Sequence, residues 1–475
     1  MSAKSNTQQP NIVVIMSDEH DPRVSGCYHD PIVETPNLDR MAEEGVVFDG
    51  CYTTSPLCVP ARLSFTAGKY ISRIGGWSNS CALPSADYPS LPRVLQNAGY
   101  ETYLCGKQHY APERRYGFGD ILPEVGTNRQ HKSGIGKRRR VDDAPAPEEE
   151  TNWPRRSAQF YPADDSGIMS HDRMTTARAC TFLEGWAGRS MPPFFLFVGH
   201  LAPHFPLIAP ADIYEKYRDR VPMPNVPEGL FESLPANYRQ LAYGFGFQNA
   251  DPATVKKGRE LYWALVDWYD RQIGQIMTTL RTSGLAENTV VFYTSDHGEN
   301  KGDHGLWWKN NMFEHAARIP LISWAPDRWQ GGQRRQGACS LVDLVQTVAD
   351  IGGADTPADW DGESMLPWLD DPGSEWRDLA VSEYYGHNIA SGITMIRSGP
   401  WKYVYHARTD EADAETELYN LDNDPEELCN LAGRPDHRDR ISDMHRRLVD
   451  ELGREPDDVE KQCRADIAKG YQPSG

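Results

Sequence analysis

A cysteine, a proline and an arginine in the first hundred residues have types and a spacing that could do chemistry. Cys58, Pro60 and Arg62 form the pattern Cys-x-Pro-x-Arg. Pro60 suits the first turn of a helix, since its φ is held at a helical value and its missing N–H is not needed there. Gly68 suits a left-handed cap at the end of that helix. We therefore expect Cys58 just before a helix N-terminus, where unpaired N–H groups favour an anion.

Arg62 lies one turn into this predicted helix, so it can point back towards Cys58 and add a fixed positive charge. A nucleophile beside a cradle for anions is what an ester-cleaving enzyme requires. A buried free cysteine before an ordinary capped helix would show the same five residues. Polar residues further along the chain decide between these two interpretations.

Acidic residues follow two apolar segments that are typical of buried strands. Asp18 and Glu19 follow the first segment, which begins at Asn11, and Asp296 and His297 follow the second. In open α/β sheets the carboxyl ends of parallel strands carry the site residues. Clustered oxygen ligands suit hard divalent cations. The sequence therefore predicts a metal site, although a capping acid after a strand would look similar.

Basic side chains follow other predicted strands. Lys107 and His109 alternate past a strand end, so both can face the same side of a site. Lysine supplies a point charge for an anion, and histidine can move protons near neutral pH. His200 and His204 follow the next buried strand, where His200 is typical of a core residue with satisfied hydrogen bonds. Lys309 follows the Asp-His pair at a short distance along the chain.

Two loop segments are harder to assign. Asn79 could line a pocket, although a plain turn residue is the more common interpretation of asparagine in such a loop. Residues 131–156 are rich in Gly, Pro and charges, with four basic residues from Lys137 and three acidic ones from Glu148. Because both signs are mixed, we interpret the segment as a solvated insertion near the pocket rim, which could carry specificity, rather than a nucleic-acid signal.

Length and charge limit the protein further. A chain of 475 residues predicts two domains, and we expect a catalytic domain over residues 1–371 and a C-terminal subdomain over residues 372–475. Lys plus Arg number 49 against 68 Asp plus Glu, a net charge of −19. This excess argues against nucleic acid as the main partner. An anionic substrate must then be attracted by a local positive site.

The sequence shows no targeting or cross-linking pattern. The first ten residues lack the apolar stretch of a secretory signal, and no run of apolar residues is long enough for a membrane span. We therefore expect a cytoplasmic protein with no membrane partner. Nine scattered cysteines without Cys-x-x-Cys indicate neither a disulfide framework nor a zinc knuckle.

The motifs in this order resemble those of the type I sulfatases, and the resemblance runs over nearly the whole chain. It implies an α/β fold, the alkaline-phosphatase-like sandwich, with a large mixed sheet between helices and a small C-terminal α+β subdomain. The string from Glu417 to Glu427 is very similar to that subdomain, a small antiparallel sheet with a helix, here at about residues 438–452. The implied activity is that of a sulfuric ester hydrolase.

The resemblance also implies the active residue. The motif cysteine of type I sulfatases is oxidised to formylglycine, so Cys58 would need a formylglycine-generating maturation enzyme as a partner. Its hydrate has two hydroxyls on one carbon, the first to attack sulfur and the second to release sulfate. The substrate would be a small-molecule or sugar sulfate ester, with choline, sugar and aryl sulfates all possible.

The resemblance assigns roles to the remaining site residues. The implied ligands of one divalent cation are Asp18, Glu19, Cys58, Asp296 and His297, although the family usually carries Asp or Gln at the position of Glu19. The implied catalytic residues are Cys58, Arg62, Lys107, His109, His204 and Lys309. Among them Lys107, Lys309 and Arg62 would stabilise charge on sulfate, His204 would protonate the leaving alcohol, and His109 would handle the second hydroxyl.

Several alternatives stay open at this point. Oxygen-rich ligands favour Ca²⁺, with Mg²⁺ or Mn²⁺ possible, and His297 also admits zinc. Relatives with the same cysteine and Asp-His pair cleave phosphonate monoesters or phosphodiesters. An unmodified, non-catalytic binding protein is a further alternative from another class. A homo-oligomer is among the possible partners.

Overall fold

The computed structural model describes residues 9–122 and 137–470. Its strands are β1 (Asn11–Asp18), β2 (Val46–Tyr52), β3 (Glu101–Gly106), β4 (Gly119–Leu122), β5 (Tyr161–Pro162), β6 (Phe194–Pro203), β7 (Ile208–Ala209), β8 (Thr289–Ser295), β9 (Leu321–Trp324), β10 (Gln333–Ser340), β11 (Leu379–Tyr384), β12 (Ile393–Ser398), β13 (Trp401–His406) and β14 (Glu415–Asn420). Its α-helices are α1 (Pro36–Glu44), α2 (Cys58–Ala67), α3 (Ile71–Ile74), α4 (Leu91–Asn97), α5 (Trp153–Ser157), α6 (Gly167–Trp186), α7 (Ala211–Tyr217), α8 (Leu230–Ser233), α9 (Ala236–Phe245), α10 (Pro252–Thr282), α11 (Glu314–Ala317), α12 (Leu341–Ile351), α13 (Leu366–Asp370), α14 (Arg438–Leu452) and α15 (Pro456–Ala468).

Eight of the strands form one sheet in the order β10-β2-β9-β8-β1-β6-β3-β4. Strand β1 lies near its centre and pairs in parallel with both β6 and β8. Strand β9 runs antiparallel to its neighbours β2 and β8. The sheet is therefore mixed, as the sequence predicts.

The residues of β1 alternate between two hydrophobic cores, one on each face of the sheet. Val13 and Ile15 belong to the core that α6 and α10 cover. Ile12, Val14 and Met16 belong to the opposite core, which α2, α4 and α12 cover. Because successive side chains of a strand point to opposite faces, an unbroken apolar strand requires helices on both sides. This arrangement confirms the predicted sheet between helices.

Helix α2 carries the Cys-x-Pro-x-Arg pattern and agrees closely with its prediction. It begins at Cys58, one residue earlier than expected, with Leu57 as the residue before it, and ends at Gly68, whose φ of 67° is left-handed. The long helix α10 begins at Pro252. Its first turn is capped by Asp251, whose side chain accepts hydrogen bonds from two backbone N–H groups.

A second sheet lies in the C-terminal part of the chain. Strands β11 to β14 pair antiparallel in sequence order, and α14 packs on them through Met444 and Leu448. Helix α14 spans the predicted residues, whereas α15 has no counterpart in the sequence analysis. The small antiparallel sheet with a helix is thus as expected. The exact division into residues 1–371 and 372–475 stays a prediction.

The charge-rich insertion is less solvated than its composition suggests. Residues 131–136 lie outside the described residues. Further along, Arg138 is largely buried, forms an ion pair with Glu460 at 2.7 Å, and donates to the carbonyl oxygen of Tyr385 at 2.8 Å. The interpretation of this segment as a solvated charge run is therefore wrong at Arg138, because a carboxylate from α15, distant in sequence, pairs with it.

Two expectations about cysteines and membranes have structural counterparts. All nine cysteines fall within the described residues and are free thiols. In the part of the chain that the structure describes, none of the helices combines the length and the apolar character that crossing a bilayer needs.

Candidate active site

The predicted site residues follow strands that end side by side. In the central sheet, Ser17 of β1 is level with Ser295 of β8, and Gly106 of β3 is level with Gly199 of β6. Gly199 is required by a close approach, since a Cβ atom there would lie 1.7 Å from the carbonyl oxygen of Lys107. The carboxyl edge of the sheet therefore brings together four loops from distant parts of the sequence.

Four of the five predicted metal ligands converge at this edge. Ligand atoms of Asp18, Cys58, Asp296 and His297 all lie within 4.8 Å of one another, and all four residues are buried. The Sγ atom of Cys58 is 3.2 Å from Nε2 of His297 and 3.8 Å from Oδ1 of Asp18. This is a donor set in which a divalent cation could be held.

The hydrogen bonds around this cluster fit a cation. Nδ1 of His297 lies 3.1 Å from the carbonyl oxygen of Gly298. A carbonyl can only accept, so the proton of the neutral ring belongs on Nδ1 and the lone pair of Nε2 faces Asp18 and Asp296. Two carboxylates, an imidazole lone pair and a sulfur directed at one point are suitable ligands for a divalent metal ion.

Arg62 contacts the carboxylates of the cluster from within the protein. Its Nε donates to Oδ2 of Asp296 at 2.8 Å, and Nη2 donates to Oδ2 of Asp18 at 3.2 Å. Nη1 donates to the carbonyl oxygen of Lys107 at 3.1 Å. Arg62 is fully buried and is absent from the described lining of the active-site cavity. These contacts show that Arg62 orients the carboxylates of two candidate metal ligands, while direct binding of sulfate oxygens by Arg62 stays a prediction.

Glu19 lies on a different side of Asp18 from the cluster. Its Oε2 is 3.0 Å from Nζ of Lys309 and 3.2 Å from Nε2 of His204. Glu19, Asp18 and His204 form a second group of convergent ligand atoms, which does not include Cys58. Both carboxylate oxygens are buried without a well-oriented hydrogen bond among the described residues. Its role as a metal ligand stays a prediction, and its present partners are two predicted catalytic residues.

Burial and neighbouring charges shift the pKa values of the adjacent acids Asp18 and Glu19 in opposite directions. Burial opposes the charge of Asp18, but Lys107, His204 and Arg62 together hold the pKa of its carboxyl well below the usual range. Burial raises the pKa of Glu19 to about 8, although the charge of Lys309 opposes this shift. Two neighbouring carboxyl groups thus favour opposite protonation states, an arrangement found at functional sites.

The thiol and the imidazole beside these acids are both pushed towards neutrality. Burial, together with the charge of Asp18, raises the pKa of the Cys58 thiol to about 12. Burial, together with Lys309 and Lys107, holds the pKa of His204 well below its usual value. An ester anion bound at the two lysines would offset their effect on His204, because its charge has the opposite sign.

A cavity of about 360 Å³ lies over the cluster and is lined by five predicted catalytic residues, Cys58, Lys107, His109, His204 and Lys309. A larger cavity of about 550 Å³ lies at the opposite, amino edge of the sheet, next to Pro10 and Thr289. None of the predicted site residues is among its described lining. The smaller cavity is therefore the candidate active site.

The same cavity contains residues that the sequence analysis did not assign to the site. Asn79 lines it, and its Oδ1 accepts a hydrogen bond from the N–H of Val59 at 3.0 Å, so it is more than a turn residue. Asn310, Arg156 and His387 also line it. Only the position of Asn310, next to Lys309, was a signal that could have been used. His387 comes from the C-terminal part of the chain, and no local pattern links it to the rest.

His200 belongs to the core, as its alternative interpretation predicts. It is fully buried on the α10 side of the sheet, with Nε2 3.1 Å from the hydroxyl of Thr176 and Nδ1 3.3 Å from the hydroxyl of Tyr269. Burial lowers its pKa to about 4. Both ring nitrogens are used within the core, so His204 is the histidine of this pair that reaches the cavity.

A mixed sheet between helices, with a carboxylate-rich cluster and a basic cavity at its carboxyl edge, defines the alkaline-phosphatase-like class of α/β enzymes. The family model described as Sulfatase matches residues 10–354, and a second, described as N-sulphoglucosamine sulphohydrolase, C-terminal, matches residues 302–453. The chain belongs to the sulfatase family. The predicted activity of a sulfuric ester hydrolase is thereby confirmed.

Curated relatives agree with this assignment over most of their length. The choline-sulfatase of Rhizobium meliloti (strain 1021) is 30% identical over 444 residues, which are 90% of this chain and 83% of the relative. Arylsulfatase K of Xenopus laevis is 26% identical over 94% of this chain and 83% of its own.

Solved structures show the same fold. One match is a protein in complex with its substrate D-glucosamine-2-N,6-O-disulfate, with a TM-score of 0.75 and 23% identity. The aligned region covers 95% of this chain and 99% of that protein. The phosphonate monoester hydrolase of Agrobacterium radiobacter has a TM-score of 0.77 and 21% identity, and covers 94% and 95% of the two chains. The predicted fold class is therefore confirmed.

Proposed function

We propose that this protein hydrolyses sulfate esters with one divalent cation and with a formylglycine made from Cys58. The observation that carries the proposal is the cluster of Asp18, Cys58, Asp296 and His297, whose ligand atoms lie within 4.8 Å of one another beside a basic cavity. A reactive group at residue 58 would then lie next to a metal ion and face bound substrate. That is the arrangement required to attack an ester of an anion.

The divalent cation and the formylglycine would each make one chemical contribution to ester hydrolysis. Bound to Asp18, Asp296 and His297, the cation would polarise oxygen atoms and offset negative charge that develops during the reaction. The hydrated aldehyde of formylglycine supplies the attacking hydroxyl and a second hydroxyl whose deprotonation releases sulfate. Ca²⁺ remains our choice because oxygen atoms dominate the donor set, with Mg²⁺ or Mn²⁺ as alternatives.

The residues of the chain then have distinct tasks. Lys107 and Lys309 line the cavity as positive charges and would hold the sulfate oxygens. Arg62 would keep the carboxylates of Asp18 and Asp296 in a fixed orientation through its contacts at 3.2 and 2.8 Å. His109 would take the proton of the second hydroxyl.

His204 would protonate the leaving alcohol through Nε2. Its Nδ1 is 2.5 Å from the carbonyl oxygen of Phe205, which fixes the ring and keeps a proton on Nδ1. Nε2 lies 3.2 Å from Oε2 of Glu19. His204 lines the cavity together with Lys309, so a proton on Nε2 would be close to an ester held there.

The decisive experiment assays matured and unmatured protein on a panel of esters. Protein co-expressed with a formylglycine-generating enzyme should cleave aryl, sugar or choline sulfates, while protein with an intact Cys58 thiol should not. Full activity with an unmodified thiol would refute the modification. A phosphonate monoester and a phosphodiester belong in the panel, since higher kcat/KM on these would favour the alternative phosphonate or phosphodiester activity.

The lack of turnover of any ester, by fully matured and metal-loaded protein, would favour the non-catalytic binding protein. A sugar or small-molecule sulfate ester as substrate, the maturation enzyme as partner, a cytoplasmic location and a homo-oligomeric state all stay predictions.

A further inference from the structure

Arg156 lines the active-site cavity, and its surroundings indicate what the alcohol part of the substrate contains. This inference rests on the proposed function. We propose that Arg156 binds a second anionic group, a carboxylate, sulfate or phosphate, on the alcohol that the enzyme releases. The protein would then act on sulfate esters with at least two negative charges.

The guanidinium of Arg156 packs over two neighbouring aromatic rings at the wall of the active-site cavity. Its central carbon lies 3.9 Å from the ring centre of Phe205 and 4.1 Å from that of Trp308. Trp308 is itself fixed, since its backbone N–H donates to Glu299 at 2.5 Å and its side chain is buried. Cation–π contacts with two buried or half-buried rings restrict the position of the guanidinium, and they do not use its N–H donors.

Among the residues that the structure describes, no carboxylate forms the ion pair with Arg156 that a largely buried arginine normally has. Its Nε is buried without a hydrogen-bond partner, and within residues 9–122 and 137–470 no carboxylate forms an ion pair with it. An unpaired, desolvated charge is costly, so such a group is usually retained to bind a ligand. A planar fork of N–H donors matches the oxygens of a carboxylate, sulfate or phosphate.

Stacking contacts place Arg156 on the leaving-group side of the cavity. The ring of His204, the proposed acid for the leaving alcohol, stacks on Phe205 with 4.5 Å between ring centres. The second ring under Arg156 is that of Trp308, which directly precedes Lys309. Arg156 and His204 thus contact the same ring and line the same cavity, so a ligand of the guanidinium is placed on the side of the proposed leaving-group acid.

The rest of the cavity wall favours an anion over a cation. None of the described residues that line the cavity is Asp or Glu. Three basic residues line it, Lys107, Lys309 and Arg156. Burial and the charges of Arg156 and Lys309 lower the pKa of His387, another lining residue, to about 4. A trimethylammonium group would meet no acid here. Arg156 also covers the faces of Phe205 and Trp308 on which such a cation would stack.

The test compares matched esters that differ by one charge. Phenyl sulfate is paired with 3-sulfooxybenzoate for the carboxylate, N-acetylglucosamine 6-sulfate is paired with N-sulfoglucosamine 6-sulfate for the sulfate, and choline sulfate serves as the ester with a cationic alcohol. The matured wild type should show kcat/KM at least about tenfold higher for the dianion in one of the pairs. Arg156→Met should abolish that preference and leave the mono-anion within about threefold, and Arg156→Lys should retain part of it.

Arg155 provides a matched control. It lies on the same short helix, is exposed, and donates to Asn152 at 3.0 Å rather than facing the cavity. Arg155→Met should leave the preference for dianions unchanged. Higher kcat/KM for choline sulfate than for every dianion, or an equal loss on both members of each pair in Arg156→Met, would overturn the proposal.

Binding measurements separate this proposal from the proposed catalytic activity. The Cys58→Ala protein cannot be matured, so its dissociation constants for the same esters can be measured by calorimetry without turnover. Dianions should bind at least about tenfold more tightly than mono-anions, and Cys58→Ala/Arg156→Met should bind both equally. Equal affinities in Cys58→Ala would refute the anion site even if the matured enzyme cleaves sulfate esters. Inactive matured protein that still discriminates would refute the activity alone.

Discussion

The Sγ atom of Cys58 lies 3.2 Å from Nε2 of His297, and both residues are buried at the carboxyl edge of the central sheet. An atom of residue 58 is therefore beside a metal-ligand candidate at the floor of the active-site cavity. This proximity is the basis for the first expectation, which concerns the chemistry of residue 58.

Replacing Cys58 should abolish turnover. Cys58→Ala removes the group that is modified, and Cys58→Ser offers one hydroxyl but no second one to release sulfate, so at most a single turnover is expected. Mass spectrometry of the peptide with residue 58 should show loss of sulfur in active protein, and burst kinetics should show the single turnover. Cys105→Ala, at a buried cysteine on β3, is the control and should stay active.

Removing a ligand carboxylate should remove the metal. Asp18→Ala and Asp296→Ala should each lower metal content and kcat together, because each takes an oxygen donor from a cluster that spans only 4.8 Å. Elemental analysis of the purified variants measures the content. One full equivalent of metal in Asp18→Ala would show that β1 does not supply a ligand.

Glu19→Gln should be milder than either of these changes. Glu19 converges with Asp18 and His204 but not with Cys58, and its Oε2 lies 3.0 Å from Nζ of Lys309. The amide oxygen can still accept from Lys309, or still coordinate a cation. Metal content near that of the wild type is expected, and KM for sulfate esters is the quantity to measure. Loss of metal equal to that in Asp18→Ala would instead make Glu19 an essential ligand.

Arg62 should matter for stability as well as activity. Arg62→Met leaves the buried charges of Asp18 and Asp296 without their guanidinium, and breaking a buried pair in this way costs about 3–5 kcal/mol. Urea unfolding of chelator-treated protein measures this loss. Added metal should restore part of it, because a cation that binds only the native state stabilises that state.

Arg40→Met is the comparison for this loss of stability. Arg40 pairs with Glu44 at 2.8 Å, and 61% of its side chain is exposed. An exposed pair is worth about 1 kcal/mol or less, so the two variants should differ clearly. Equal losses would mean that the contacts of Arg62 are not important for folding.

His204 and Lys309 should differ in how their loss depends on the ester. His204→Ala should slow alkyl sulfates by about 10²–10⁴-fold, the usual value of general acid catalysis. It should affect nitrophenyl sulfate much less, since nitrophenolate leaves without a proton. Lys309→Ala should slow both esters by similar factors, because the lysine would hold the sulfate oxygens of every ester. Single-turnover rates are the measurement, and equal losses for His204→Ala would move the acid role to His109.

The sequence by itself determined the strands and the polar residues at their ends. Apolar runs predicted strands that end at or next to Asp18 and Asp296, as β1 and β8 do, and the rule for strand ends predicted that these two residues would meet. Gly68 ended α2 as expected, with a φ of 67°. These features depend on local backbone preferences and on the period of burial along the chain, so a single sequence contains them.

Only the tertiary structure decided which distant side chains pair. Arg62 turns to the carboxylates of Asp18 and Asp296, and Glu19 turns to Lys309, across separations that no local pattern encodes. Arg156 and His387 reach the cavity from the insertion and from the C-terminal part of the chain. The physical reason is that ion pairs and ring stacking depend on distances in space between packed elements, whereas a sequence pattern reports only what each segment prefers.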